Sequence, residues 1–196
     1  IRSPLRLNAE IGLSQFVLNS NLENVDFLII EMGARAMGEI ETMVNIFEPD
    51  IVYLTGIAPQ HIATFGSLSK IIKAKMEIFK KISPNGIAIL NGDDEMLLDI
   101  FSNLNIASKY LYGKNGHFYG KNENYSLDGT GFEFIYPEGE IGLKTNLIAK
   151  HQIENLIGAL AGCYLVGIKP QEIEDRVKEM ELLPHSYQIL KKGNPL

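Results

Sequence analysis

The sequence runs to 196 residues, 45% of them hydrophobic, with a formal net charge of −6 at neutral pH. That is about one domain's length of chain with material for a real core, and its acidic balance argues against nucleic acid or an anionic membrane as the main partner. No apolar stretch approaches the roughly 18 residues of a spanning helix, no secretory leader is visible, and the one cysteine, Cys163, leaves no intrachain disulfide or cysteine-based zinc site; a soluble cytoplasmic protein without membrane insertion is expected.

Short apolar runs at residues 25–30, 51–54 and 86–90 are bounded by turn formers and predict buried parallel strands. Between the first two lies a predicted helix at 37–47, closed by Pro49; between the second and third lies one at 67–82, closed by Pro84; a third helix at about 94–104 follows. Strand and helix in alternation are the pattern of βαβ units. Residues 108–147 then change character, being rich in Tyr, Phe, Gly and Asn, and 125–136 reads as strand and turn. Helices at 151–166 and 170–180, joined by Gly167, Ile168 and Lys169, complete the series. The expected fold is α/β: a mostly parallel sheet flanked by helices, with a small antiparallel β patch. A first residue other than Met and a last stretch without a terminal element read as a fragment of a longer chain.

In a doubly wound sheet, ligands bind beyond the carboxyl ends of the parallel strands. The first predicted strand runs into Glu31, Met32 and Gly33, the second into the stretch from Thr55 to His61, and the third into Asn91, Gly92, Asp93 and Asp94. A carboxylate, an imidazole and an Asn-Asp-Asp cluster on one edge would suit Mg²⁺, which takes one or two protein ligands beside waters and phosphates. Singly, each has a plainer use: Asp93 or Asp94 as a helix cap, Glu31 as an exposed loop acid.

Lys75 is the sharper signal. At helical spacing Leu68, Ile71, Ile72, Phe79 and Ile82 form an apolar stripe with Lys75 near its middle, while Lys70, Lys73, Glu77, Lys80 and Lys81 project from the other side. The plain reading lays the lysine stem over apolar surface with the ammonium reaching water. The functional one is an amine desolvated enough to react with carbon dioxide, which turns a cation into an oxygen ligand. In the helix from His151, the residues Ile153, Leu156, Ile157, Leu160 and Tyr164 make the apolar side, and His151, Asn155, Gly158 and Gly162 lie opposite. The glycines either seat a flat ligand or admit a close neighbour, and His151 and Asn155 at i, i+4 can address one ring. No phosphate loop, nucleophile elbow or metalloprotease helix occurs, and His117 and His185 read as exposed.

Together these segments resemble the Mur ligase family, enzymes that join amino acids or peptides to a carboxylate using ATP. The stretch from Ile29 to Arg35 resembles the family strand ending in an acid that helps to bind Mg²⁺. The stretch from Ala58 to Ser67 resembles the segment whose histidine, here His61, lies at the metal site. That from Lys73 to Phe79 resembles the helix whose second lysine, here Lys75, is carbamylated in many members. Asn91-Gly92-Asp93-Asp94 matches an Asn-x-Asp-Asp segment after a strand, and Lys150 to Asn155 resembles the signature that contacts adenine, chiefly through the asparagine. The likeness spans nearly the whole chain in the family's order and spacing. Glu31 to Ala34, the Phe65-Gly66-Ser67 step and Leu7 to Gly12 look most like the member that adds D-alanyl-D-alanine.

By that resemblance the chain is a P-loop-type central domain of the family, with its phosphate loop expected before Ile1 and a C-terminal domain beyond the last residue; alone it should be inactive. The resemblance implies ATP and Mg²⁺ as cofactors, a UDP-linked muramoyl peptide and D-alanyl-D-alanine as partners, and a monomer. It assigns Glu31, His61 and Lys75 to the metal, Lys75 and His61 also to catalysis, Asn155 and His151 to adenine, and Asn91 and Asp94 to the nucleotide. One departure stands out: Ser186 occupies the place of a family arginine that approaches the phosphates, which removes a charged fork-shaped donor. Two rival functions stay open, a folylpolyglutamate synthase-like or other Mur-type ligase, and a noncatalytic module that kept the fold.

Overall fold

The protein is described here by a computed structural model covering residues 1–58, 62–114 and 116–180. It divides into two units, Ile1–Val52 with Ile57–Ile87, and Tyr53–Gly56 with the chain from Ala88 onward. The elements of the first stretch are helix α1 (Glu10–Asn19), helix α2 (Glu39–Phe47), strand β1 (Ile51–Leu54), a short helix α3 (Ile62–Phe65), helix α4 (Leu68–Met76) and a 3₁₀ turn (Glu77–Phe79). Then follow β2 (Ile87–Asn91), α5 (Glu95–Asn103), β3 (Ser108–Tyr112), β4 (Tyr119–Ser126), β5 (Gly129–Tyr136), β6 (Gly139–Thr145), α6 (Lys150–Leu165) and α7 (Pro170–Lys178).

In the first unit the core is a cluster of Leu13 from α1 and Ile40, Met43 and Val44 from α2, with Ile30, Met32, Ala34, Phe47 and Ile78 packed against it. The spacing Ile40, Met43, Val44, Phe47 is the i, i+3, i+4, i+7 stripe of a helix with one buried face. Helix α4 starts at Ser67, whose side chain accepts the Lys70 N–H at 3.3 Å, a standard cap.

The parallel three-stranded sheet has the order β1-β2-β3. Its strand β2 places Ala88, Ile89 and Leu90 all at 0% exposure, as expected of a strand covered on both faces. A second sheet, β4-β5-β6, is antiparallel throughout. Thr130, Phe132 and Phe134 alternate along β5 as its buried face, and the aromatic rings run on from Phe118 to Phe134 and from Tyr136 to Tyr164 of α6.

The expected antiparallel patch is therefore present, longer than 125–136 alone, and its first part, β3, belongs to the other sheet. Other expectations need correction. Residues 25–30 form no regular strand: a single parallel bridge joins Ile29 to Arg2, held by the Ser3 N–H to the Ile29 carbonyl at 2.8 Å and the Ile29 N–H to the Ile1 carbonyl at 2.9 Å. Past that bridge the Glu31 N–H donates to the Ser3 hydroxyl instead of a backbone carbonyl, and the chain turns, with the Leu7 N–H donating to the Pro4 carbonyl at 3.1 Å. Helix α1 was not foreseen, and α2 begins at Glu39, after Gly38 with a φ of +89°, instead of at Met37. The helix expected at 67–82 stops at Met76 and tightens into the 3₁₀ turn. Glu77, expected on the polar side, is 3% exposed. Among the described residues no helix is long and apolar enough to cross a membrane.

Candidate functional site

Glu31 lies in the loop between the Ile29 bridge and α2. Its own N–H donates to the buried Ser3 hydroxyl at 3.2 Å. Two residues on, the Gly33 N–H donates to the Asn8 carbonyl at 2.9 Å. A side chain at Gly33 would meet the Asn8 amide, whose Nδ2 stands 2.9 Å from where a Cβ would sit, so a larger residue there would displace the Asn8 side chain. Ser3 and Asn8 thus fix the loop from one side, and neither was singled out in the sequence. The Glu31 carboxylate is exposed and accepts one long bond from Asn8 Nδ2, at 3.4 Å. A fixed backbone carrying an exposed carboxylate is a fitting oxygen donor for a hard cation. Among the described residues no group of three or more His, Cys, Asp or Glu side chains is assembled for a metal. His61 lies outside the described residues, as does Ser186.

Lys75 sits on α4 with the same unit around it. The helix buries Ile71 and Ala74, whereas Leu68 is 37% exposed, so the buried face is centred beside the lysine and not on it. Lys75 is half-buried at the margin of that face, the placement of a long side chain whose stem covers apolar surface. Beyond it, Ile78 enters the cluster that also holds Ile30 and Met32, the neighbours of Glu31. The segments bearing Glu31 and Lys75 are therefore anchored in one core.

At the end of β2 in the second unit, polar side chains organise the loops. Asn91 donates through Nδ2 to the Thr55 carbonyl at 3.1 Å and accepts the Asp93 N–H at 3.0 Å. Asp94 caps α5, its Oδ1 accepting the Met96 and Leu97 N–H groups at 2.9 and 3.3 Å. Asp93 accepts the Lys114 N–H at 2.9 Å. In the same unit the Gln152 Oε1 accepts the Ala149 N–H at 3.1 Å and the Ile148 N–H at 3.3 Å, which fixes the start of α6. His151 and Asn155, one turn apart, are both exposed there. Gly158 and Gly162 continue that face into the interior, and the flat groups against them are the protein's own: the Tyr112 ring, 2.9–3.1 Å from a Cβ built on Gly158, and the Tyr53 hydroxyl against Gly162. Tyr112 is 1% exposed and its hydroxyl has no partner among the described residues. Burial first, then the charges of Glu154 and Asp93, push its pKa up to about 12.

Residues 2–163 match the family described as the Mur ligase middle domain. The chain belongs to the Mur ligase family. Among curated Mur ligases it is 33% identical, over 162 residues, to the UDP-N-acetylmuramoyl-tripeptide--D-alanyl-D-alanine ligase of Haemophilus influenzae, an alignment covering 82% of this chain and 35% of the relative. Its fold is shared with a MurF crystal structure from Acinetobacter baumannii, at a TM-score of 0.90 and 21% identity, over 98% of this chain and 42% of that one. The MurF ligase of Thermotoga maritima, solved in complex with ADP, superposes at a TM-score of 0.84 with 24% identity, over 98% of this chain and 44% of the other. This Mur ligase domain thus spans well under half the length of the relatives it matches.

Proposed function

We propose that the chain is the middle domain of an ATP-dependent amide ligase of peptidoglycan-precursor synthesis, acting as a single chain in the cytoplasm to add D-alanyl-D-alanine to a UDP-linked muramoyl tripeptide. The family match and the names of the aligned relatives support the reaction class and the substrates. The observation that carries the site is that an exposed carboxylate, Glu31, and a half-buried amine, Lys75, stand on segments anchored in one hydrophobic cluster.

In this reading the terminal carboxylate of the muramoyl peptide attacks the γ-phosphorus of ATP; an O–P bond forms and ADP leaves. The amine of D-alanyl-D-alanine then attacks the acyl carbon of the resulting acyl phosphate, a tetrahedral adduct forms, the C–O bond to phosphate breaks, and the amine proton passes to solvent. Mg²⁺, when bound, offsets the phosphate charge and aligns the transferred group with the acceptor oxygen. Glu31 and His61 would hold the metal. The Lys75 amine would add to carbon dioxide, forming an N–C bond and releasing a proton, and the resulting carbamate would offer an oxygen to the same site. Asn155 and His151, both exposed at the start of α6, address the adenine ring. Asn91 and Asp94 act on the nucleotide beside their structural bonds.

The test is Lys75→Ala in the intact enzyme, with and without chloride or formate. Turnover should fall by at least about tenfold, the scale seen when a metal site loses a supporting group, and small anions should restore part of it. Unchanged turnover removes Lys75 from the site.

A further inference from the structure

Helix α2 opens on Gly38, which has no side chain to cap it. The first N–H groups of a helix have no partner inside it and must be met from elsewhere. Here they are met by Glu77. Its Oε1 and Oε2 accept the Gly38 N–H at 2.9 and 3.0 Å, and Oε2 also accepts the Glu41 N–H at 3.2 Å. Glu77 as a whole is 3% exposed. A buried acid persists only where hydrogen bonds and opposite partial charge replace water, and a helix N-terminus offers both. The neighbouring contacts belong to the same junction. Glu39 Oε2 accepts the Arg35 N–H at 2.7 Å, which ties the Glu31 loop to the first turn of α2, and Lys80 pairs with Glu41 at 2.6 Å.

We propose that Glu77 is a positioning residue for the metal site: its carboxylate at the start of α2 holds the helix of Lys75 in register with the loop of Glu31. Glu77 follows Lys75 by two residues, and the next residue, Ile78, packs in the cluster that includes Ile30 and Met32. The loop from Glu31 reaches α2 through Arg35 and Gly38, so the three N–H bonds join the two ends of one frame. An apolar residue of similar size would fill the space and leave those donors unmet. The assignment rests on the reading of Glu31 and Lys75 as metal-site residues.

The experiment measures Mn²⁺ binding by electron paramagnetic resonance in the intact enzyme with a nonhydrolysable ATP analogue, beside thermal denaturation. Glu77→Gln keeps the shape but turns an amide toward N–H donors. It should weaken Mn²⁺ about tenfold, the cost typical of losing an outer support of a metal site, and lower the denaturation temperature. Lys80→Met, which breaks the adjacent ion pair without touching the cap, should leave Mn²⁺ affinity as it was. Should Glu77→Ala fail to fold, Glu77→Gln decides. Lower thermal stability with Mn²⁺ affinity intact in Glu77→Gln makes the cap merely structural and overturns the proposal, while weakened Mn²⁺ in Lys75→Ala shows that the site reading itself stands. Mn²⁺ affinity unchanged in Lys75→Ala overturns both.

Discussion

A buried hydroxyl without a partner lowers stability, and among the described residues the Tyr112 hydroxyl has none. Tyr112→Phe should therefore stabilise the protein, by about 1 kcal/mol. The same residue sets an alkaline limit. Its pKa is raised in the folded protein, to about 12 from an ordinary 10.0. Below pH 10.0 both states hold the proton and the native advantage is whole; between 10.0 and about 12 the unfolded chain ionises first, so stability falls as pH rises through that window. Urea titrations at neutral pH and in the window should show a smaller alkaline loss for Tyr112→Phe, and an equal loss in both proteins would contradict this. At the end of β2, Asp94→Ala should cost about 1 kcal/mol in thermal denaturation and Asp94→Asn only a few tenths, since asparagine also caps well. That capping role was legible in the sequence, because an aspartate before an apolar-periodic run signals a helix start. The role of Glu77 was not. Its partners lie 36 to 39 positions away, and nothing in local periodicity marks a side chain that caps a different helix.

The elements best read from sequence were those with a strong period or a strong boundary. β1 and α5 fall where apolar runs, Pro49 and Asp94 put them, and α2 ends at Phe47 as expected. Helix α1 has no stripe that local periodicity could mark: Leu13 alone is buried, and Ile11 and Leu18 are 68% and 83% exposed. The run at 25–30 misled for the opposite reason. It has strand composition, yet a strand exists only through its pairing, and the ladder it finds is one bridge long. On α6 the face with His151 and Asn155 was legible, but the tyrosines that occupy its glycines come from β1 and β3. Gly158→Ala measures that packing. The gain in helix propensity is about 1 kcal/mol and overpacking against the buried Tyr112 ring costs about 1–3 kcal/mol, so a net loss of about 1 kcal/mol is expected by denaturant titration. A stabilised variant would mean that the ring has room to move.

At the scale of the molecule, family and fold were legible because the motifs of both units occur in the family's order, and the match over residues 2–163 bears that out. Each proposed role has its own signature in the intact enzyme. Asn155→Ala should raise the KM for ATP about tenfold with little change in kcat, as for the loss of one or two hydrogen bonds to a bound ring; a kcat effect alone would contradict an adenine contact. Phosphate release should follow D-alanyl-D-alanine and not glutamate, and the reverse would favour a folate-type ligase. The most direct measurement is a crystal structure of the intact enzyme with Mn²⁺ and a nonhydrolysable ATP analogue, with the ion located by anomalous scattering. The ion is expected about 2.1 Å from a Glu31 carboxylate oxygen, with the Lys75 side chain directed to the same centre. An ion held elsewhere, with Glu31 and Lys75 facing away from it, would contradict the account.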